Sequence, residues 1–146
     1  MAGTVLADAA DIARGVMRLL ADHDCTSLTE FTLKSGRRAD VMALDAKGRF
    51  TIVEIKSGLA DFRADRKWQD YLEFCDSFYF AVPKGFPLEV LPAETGLILA
   101  DAWAGHILRP ADPGTLAPAR RKALTLRFAR VAAGRVMQAG GVLPAV

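Results

Sequence analysis

Arg38-Ala39-Asp40-Val41-Met42-Ala43-Leu44-Asp45, Ala46-Lys47-Gly48 and Arg49-Phe50-Thr51-Ile52-Val53-Glu54-Ile55-Lys56 run consecutively in the 146-residue chain and carry its strongest structural signal. Two β-prone runs flank a three-residue separator that ends in Gly, the residue a hairpin loop of that length wants in left-handed backbone conformation. Lys34-Ser35-Gly36 is a second such separator and joins a further β-prone run, Leu28 to Lys34, so two consecutive hairpins are predicted. Glu54 and Lys56 stand two residues apart on a strand and therefore point to one face. If the Ala46-Lys47-Gly48 loop pairs Asp45 with Arg49, counting back along the ladder sets Asp40 opposite Glu54, roughly 5 Å apart at Cβ. The same count around Lys34-Ser35-Gly36 sets Glu30 opposite Asp40. Three acids would then form a row across three strands, with Lys56 at its edge.

Outward from this stretch, Leu6 to Ala21 has no Pro and carries Ile12, Val16, Leu19 and Leu20 at helical spacing. Asp61 to Phe74 is polar with apolar anchors Phe62, Trp68 and Leu72 and reads as a second helix. Phe78 to Val82 is a buried strand stopped by Pro83. Pro83 to Pro92 is a loop, Leu97 to Ala102 and His106 to Arg109 pair around Trp103-Ala104-Gly105, and a Pro-rich link, Pro110 to Pro118, leads to a helix near Ala119 to Gln138. The order of the core is α-β-β-β-α-β. With no internal repeat or boundary in view, residues 1–146 are read as one domain, which this length suits.

Like charges facing each other across strands destabilise a sheet, so a structural role explains the acidic row poorly. A hard cation explains it better: Mg²⁺ or Mn²⁺ prefers carboxylate, carbonyl and water oxygens and is completed by substrate phosphate. Lys56 would orient the attacking water or stabilise charge on the phosphorus centre. The competing reading is a plain ion pair of Lys56 with Asp40 or Glu54. His23 and His106 sit in no nucleophile arrangement, which leaves a Ser-His or Cys-His hydrolase little support, and Trp68 and Tyr71 suit core packing better than base stacking.

Composition excludes other classes. A 51% apolar and 25% charged chain is ordinary for a globular protein, and no apolar run reaches the roughly 18 residues of a membrane span. Cys25 and Cys75 have no metal-ligand spacing and are read as free thiols in a reducing cytoplasm. The net charge of +2 is small, but no acid follows Asp112, while Arg120, Arg121, Lys122, Arg127, Arg130 and Arg135 all do. Leu124, Phe128, Val131 and Ala132 give the last helix one apolar face, which leaves these cations as either a solvated surface or a DNA-backbone contact.

Asp40 followed by Glu54-Ile55-Lys56 on that element order resembles the PD-(D/E)xK nuclease superfamily. More narrowly, Gly36-Arg37-Arg38-Ala39-Asp40-Val41, Val53-Glu54-Ile55-Lys56-Ser57, Asp65-Arg66-Lys67-Trp68-Gln69-Asp70-Tyr71 and Phe78-Tyr79-Phe80-Ala81-Val82-Pro83 look like the bacterial MmcB-like DNA repair proteins, over most of the chain and including the basic C-terminal helix. The resemblance implies an α/β restriction-endonuclease-like domain with a mixed central sheet, an added β-hairpin and a basic last helix. It implies that Asp40, Glu54 and the main-chain carbonyl of Ile55 ligate Mg²⁺ or Mn²⁺ and that Lys56 assists the nucleophile in hydrolysing DNA phosphodiesters. Ala39 replaces the Pro usual before the first acid, at a position that carries no chemistry. A further acid on helix one, Asp8 or Asp11, competes with Glu30 for a third place in the site. The Gln-x-x-x-Tyr pair of some relatives is not matched, since Gln69 is followed by Glu73 at that spacing. DNA is the implied partner, together with other repair proteins and no membrane, and Arg37, Arg38, Lys67, Arg120, Arg121, Arg127 and Arg130 are candidate phosphate contacts. The rival within the same fold is a DNA-binding or scaffold module without strong catalysis; a metal-independent structural protein is the third reading.

Overall fold

The two glycines of the hairpin separators adopt the backbone conformation expected of them, with φ of +91° at Gly36 and +80° at Gly48. In the computed structural model, which describes residues 7–65 and 67–144, they sit in the turns that join the first three strands of a six-stranded sheet. The elements follow as α1 (Ala9–Asp22), β1 (Cys25–Thr32), β2 (Arg38–Asp45), β3 (Phe50–Ile55), α2 (Leu59–Ala64), a 3-10 segment (Trp68–Phe74), β4 (Ser77–Val82), a 3-10 turn (Leu88–Val90), β5 (Gly96–Ala100), β6 (Gly105–Arg109) and α3 (Pro118–Ala139). The chain divides into two compact units, Met1–Thr115 and Leu116–Val146, at the Pro-rich link.

In the first unit the strands lie in sequence order, β1 to β6. β1–β2, β2–β3 and β5–β6 are antiparallel, whereas β3–β4 and β4–β5 are parallel. The sheet is therefore mixed. Its parallel centre is buried on both faces, which is why β3 and β4 read as near-continuous apolar runs. Asp45 anchors the β2–β3 turn: its N–H donates to the Arg49 carbonyl at 3.0 Å, and its Oδ1 accepts from the N–H groups of Lys47 and Arg49.

Helix α1 begins at Asp8, whose side chain accepts from the Asp11 N–H at 2.8 Å, a conventional N-cap. The expected start at Leu6 lies outside the described residues. Ile12, Val16, Leu19 and Leu20 pack on Val41, Ala43, Val53, Ile55, Ala81, Ile98 and Ala100, which alternate along four strands and so share one sheet face. Burying each such aliphatic side chain contributes about 1.5–3 kcal/mol. The other face carries an aromatic layer in which Trp68 and Tyr71 stack on Phe78 and Phe62 meets Phe80 edge-on.

Two elements depart from expectation. β1 starts at Cys25 and not Leu28, because β2 runs to Asp45 and supplies ladder partners for Cys25, Thr26 and Ser27. The single helix expected from Asp61 to Phe74 is instead a six-residue α2 and a seven-residue 3-10 segment. Asp65 between them is extended, at φ −89° and ψ 110°, and its carboxylate is bound on both sides.

In the second unit Pro118 occupies the first turn of α3, where its missing N–H costs nothing, and Leu124 and Phe128 are its buried residues. The helix holds six cations and no acid. No helix among the described residues is long and apolar enough to cross a membrane.

α1 lies so close to the β5–β6 turn that a Cβ on Gly15 would meet the Asp101 carbonyl oxygen at 2.0 Å and that of Ala104 at 2.7 Å. Backbone cannot yield as a flexible side chain does. Gly15→Ala is expected to lower stability by about 2 kcal/mol or more, read as a lower urea midpoint. An unchanged midpoint would mean that α1 does not approach the turn this closely.

Candidate active site

The β2–β3 ladder pairs Leu44 with Phe50 through to Val41 with Val53 and then stops. One step further, Asp40 and Glu54 stand opposite each other, and their side chains take over the work of the ladder. The Asp40 N–H donates to Glu54 Oε1 at 3.0 Å, and the Ile55 N–H donates to Asp40 Oδ2 at 2.8 Å. Each carboxyl thus satisfies a backbone donor of the facing strand, which leaves neither amide unpaired where the strands part. The sequence count that placed these two acids together is realised.

This arrangement is electrostatically costly. Glu54 is 5% exposed, and burial, then the neighbouring Asp40 charge, pushes its carboxyl up to about 8. Burial also raises Asp40, although the Ile55 N–H, the Glu54 carboxyl and Lys56 pull the other way. Near neutrality, burial and the facing Asp40 charge therefore favour the protonated form of Glu54.

Lys56 is on the same face as Glu54 and is 6% exposed. Its backbone N–H donates to the Ala81 carbonyl at 3.0 Å, which fixes the end of β3 against β4. Its ammonium pairs with Asp65 Oδ2 at 2.9 Å and not with Asp40 or Glu54. Sequence reasoning missed this partner. The available signal was an acid placed among the anchors Phe62 and Trp68 of an expected helix. Burial would raise Asp65, but the Lys67 N–H and then Lys56 outweigh it and hold the carboxyl below its ordinary value.

Glu54 and Lys56 open onto a cavity of about 550 Å³ that Arg37, Asp61, Lys67 and Tyr71 also line. Asp40 and Ile55 border a second one, of about 400 Å³, walled by Ala9, Ala13 and Met17 of α1 and by Glu30. The carboxyl pair lies where the two meet the sheet.

The row of three acids is not formed. Thr29 pairs with Val41 and Phe31 with Ala39, but Glu30 between them has φ +50° and leaves the ladder, exposed at the edge of the second cavity. A non-glycine residue in left-handed conformation cannot hold its side chain in the alternation that the count assumed. Among the described residues no group of three or more His, Cys, Asp or Glu side chains is placed to hold a metal ion. Asp8 and Asp11 do not supply the missing acid: the first caps α1 and the second pairs with Arg14.

Of the candidate phosphate contacts, Lys67 is at the first cavity, and Arg37 lines it while lying 3.6 Å from Asp70 and 5.0 Å from the Tyr71 ring centroid. Arg37 is therefore not an idle loop charge. Arg38 is exposed, and its carbonyl accepts from the Tyr71 hydroxyl at 3.0 Å. Burial, then the Glu54 charge, pushes that phenol up to about 12. In the second unit Arg127 and Arg130 are exposed along α3, whereas Arg120 and Arg121 are half-buried.

A mixed sheet entered by α1, with acids at the end of its second and third strands, defines an α/β domain of restriction-endonuclease-like fold. The chain belongs to the MmcB-like family of DNA repair proteins, which matches residues 2–141. A solved structure of a protein of unknown function from Silicibacter pomeroyi is similar to it at 50% identity, with a TM-score of 0.85 over 87% of this chain and 87% of that one. No match was found among curated proteins.

The raised carboxyl pair has a consequence for stability. Glu54 binds its proton up to about pH 8 in the folded state against an ordinary value of 4.5, so the folded state holds more protons between those values. That contribution is fully present below pH 4.5 and is lost as pH rises through 8. In EDTA the melting temperature should fall from about pH 5 to about pH 8, and Glu54→Gln should flatten the fall. Parallel slopes for the two proteins in scanning calorimetry would show that Glu54 is not the group responsible.

Proposed function

We propose that this protein is a DNA repair nuclease of the PD-(D/E)xK type that hydrolyses phosphodiester bonds with Mg²⁺ or Mn²⁺. One observation carries the reading: half-buried Asp40 and buried Glu54 stand face to face at the end of the β2–β3 ladder, with Lys56 on the same strand face. Two acids held together at the expense of raising Glu54 to about 8 suit a divalent cation, which would relieve the repulsion that now favours a protonated Glu54. The donor set fits Mg²⁺ or Mn²⁺, since these ions take one or two carboxylates and complete their shell with water and phosphate. Asp40, Glu54 and the main-chain carbonyl of Ile55 would hold the ion, and membership of a DNA repair family supports DNA as the phosphate donor.

When bound, the cation would polarise the scissile phosphate and lower the pKa of a nearby water. The chain's own residues do the rest. The backbone bonds of Asp40 and Glu54 lock both carboxylates before substrate arrives, so little reorganisation remains for the reaction. Lys56 presents a positive charge beside them, where charge develops on the phosphate oxygens. Arg37 and Lys67 at the cavity, with Arg127 and Arg130 on α3, would meet the DNA backbone.

A second reading within the family, a DNA-binding or scaffold module with weak catalysis, draws on the arrangement of the acids, since among the described residues no three of them are placed together to hold a metal ion. Cleavage separates the two. Asp40→Asn, Glu54→Gln and Lys56→Ala are each expected to lower the cleavage rate by about 10²-fold or more, and double variants should be little worse than singles because the three act as a unit. The assay is a gel over single-stranded, branched and duplex DNA with Mg²⁺, Mn²⁺ or EDTA. A single variant that cuts at the wild-type rate has lost no catalytic group.

The α3 cations are tested separately by binding. Replacing Arg127 and Arg130 with Gln should weaken DNA binding and reduce the slope of log affinity against log salt by about 0.7–0.9 for each phosphate that is no longer neutralised. An unchanged slope would remove these side chains from the DNA surface.

A further inference from the structure

We infer that Asp65 is the positioning residue for Lys56, fixing its ammonium beside the Asp40 and Glu54 carboxyls; the inference deepens the nuclease reading above and rests on it. The ion pair spans 2.9 Å, and its side chains are only 8% and 10% exposed. The Asp65 carboxylate is itself immobilised, since Oδ1 accepts from the Lys67 N–H at 3.0 Å while Oδ2 faces the ammonium. A lysine stem is a flexible four-carbon chain with little intrinsic preference for one direction. One fixed carboxylate selects the direction. An ammonium carries three donors, so a single carboxylate oxygen does not exhaust it for a phosphate or a water.

Stability explains the pair poorly. Two charges removed from water lose hydration that their attraction only partly restores, and apolar replacements of such pairs are often neutral or stabilising. An aromatic layer of Phe62, Trp68 and Phe80 lies on this side of the sheet and could extend over an apolar pair. The pair also divides what the apolar spacing sets up as one helix, since Asp65 is extended between α2 and the 3-10 segment. Both pieces then contribute to the cavity that Glu54 and Lys56 open onto, Asp61 from the first and Tyr71 from the second. Sacrificing helical continuity to deliver one acid to one buried ammonium is accounted for if the place of that ammonium matters to a reaction.

Asp65→Asn keeps the size and an acceptor for the Lys67 N–H while removing the charge; Asp65→Glu keeps the charge on a longer arm. The first measurement needs no activity: amine-selective labelling of the whole protein, with Lys56 and exposed Lys47 followed by peptide mass spectrometry. Lys56 should label slowly in wild type and about tenfold faster in Asp65→Asn, with Lys47 unchanged, because an unpaired ammonium on a flexible stem reaches solvent. The second is steady-state cleavage of the DNA that wild type cuts. Asp65→Asn should lower kcat by about tenfold or more with KM within about twofold, and Asp65→Glu should restore part of kcat. A merely structural role would lower the melting temperature and leave kcat per folded molecule intact. Equal labelling of Lys56 and Lys47 in wild type, or an unchanged kcat in Asp65→Asn, overturns the inference. If wild type cuts no DNA, the nuclease reading fails and the reaction role of Asp65 fails with it, while the labelling still decides whether Asp65 fixes Lys56.

Discussion

Where β2 and β3 part, their backbone amides must find acceptors other than each other, and the acceptors are the carboxyls of Asp40 and Glu54. This exchange of side chain for backbone ends the ladder without leaving a donor unpaired, and it fixes two acids opposite each other on facing strands. Neither function can be removed alone. A carboxyl aimed by a backbone N–H is held more rigidly than one aimed by another side chain, because the amide belongs to the sheet. β3 repeats the device at its other end, where the Phe50 N–H donates to Asp76 Oδ2 at 2.7 Å and the Asp76 N–H to the Phe50 carbonyl. The strand that carries Glu54 and Lys56 is thus pinned at both ends by acids.

The rest of the first unit supports that strand. α1 covers one face with aliphatic side chains, and the aromatic layer covers the other, so β3 has no freedom to shift register. A shift of one residue would turn Glu54 and Lys56 into the aliphatic core beneath α1 and bring Val53 and Ile55 to the cavity. The desolvation that raises Glu54 is the same burial that holds the strand in place. Stability of the core and tension in the carboxyl pair therefore have one origin. Lys56 escapes that tension through Asp65, which lies in the extended link between α2 and the 3-10 segment.

Membership of a DNA repair family and likeness to a solved Silicibacter pomeroyi protein of unknown function agree with the fold and leave its chemistry to be read from these residues. The two units differ in charge. The first concentrates acids at the end of a sheet, and the second carries six cations and no acid along one helix.

How much was legible in the sequence follows from the range of the interactions concerned. Local signals set the hairpins: Gly36 and Gly48 need φ above zero, and once the turn length is known the period of two carries Asp40 to its place opposite Glu54. The bounds of β2 and the buried face of α1 follow from the same short-range periodicities. Glu30 escaped because its left-handed backbone takes it out of the ladder, although Thr29 and Phe31 on either side keep the counted register. Asp65 escaped for a different reason. Its spacing from Phe62, Trp68 and Leu72 was consistent with one continuous helix, and only a tertiary partner, the ammonium of Lys56 at the end of a buried strand, makes the extended conformation favourable. The two hairpins, the element order and the facing carboxyls could thus be read from the chain, because each follows from a turn of known length and the repeat of the strands or helices beside it. Tertiary structure alone decided which acid holds Lys56 and how far Glu54 is raised, because both depend on what is brought close and sealed from water across the fold.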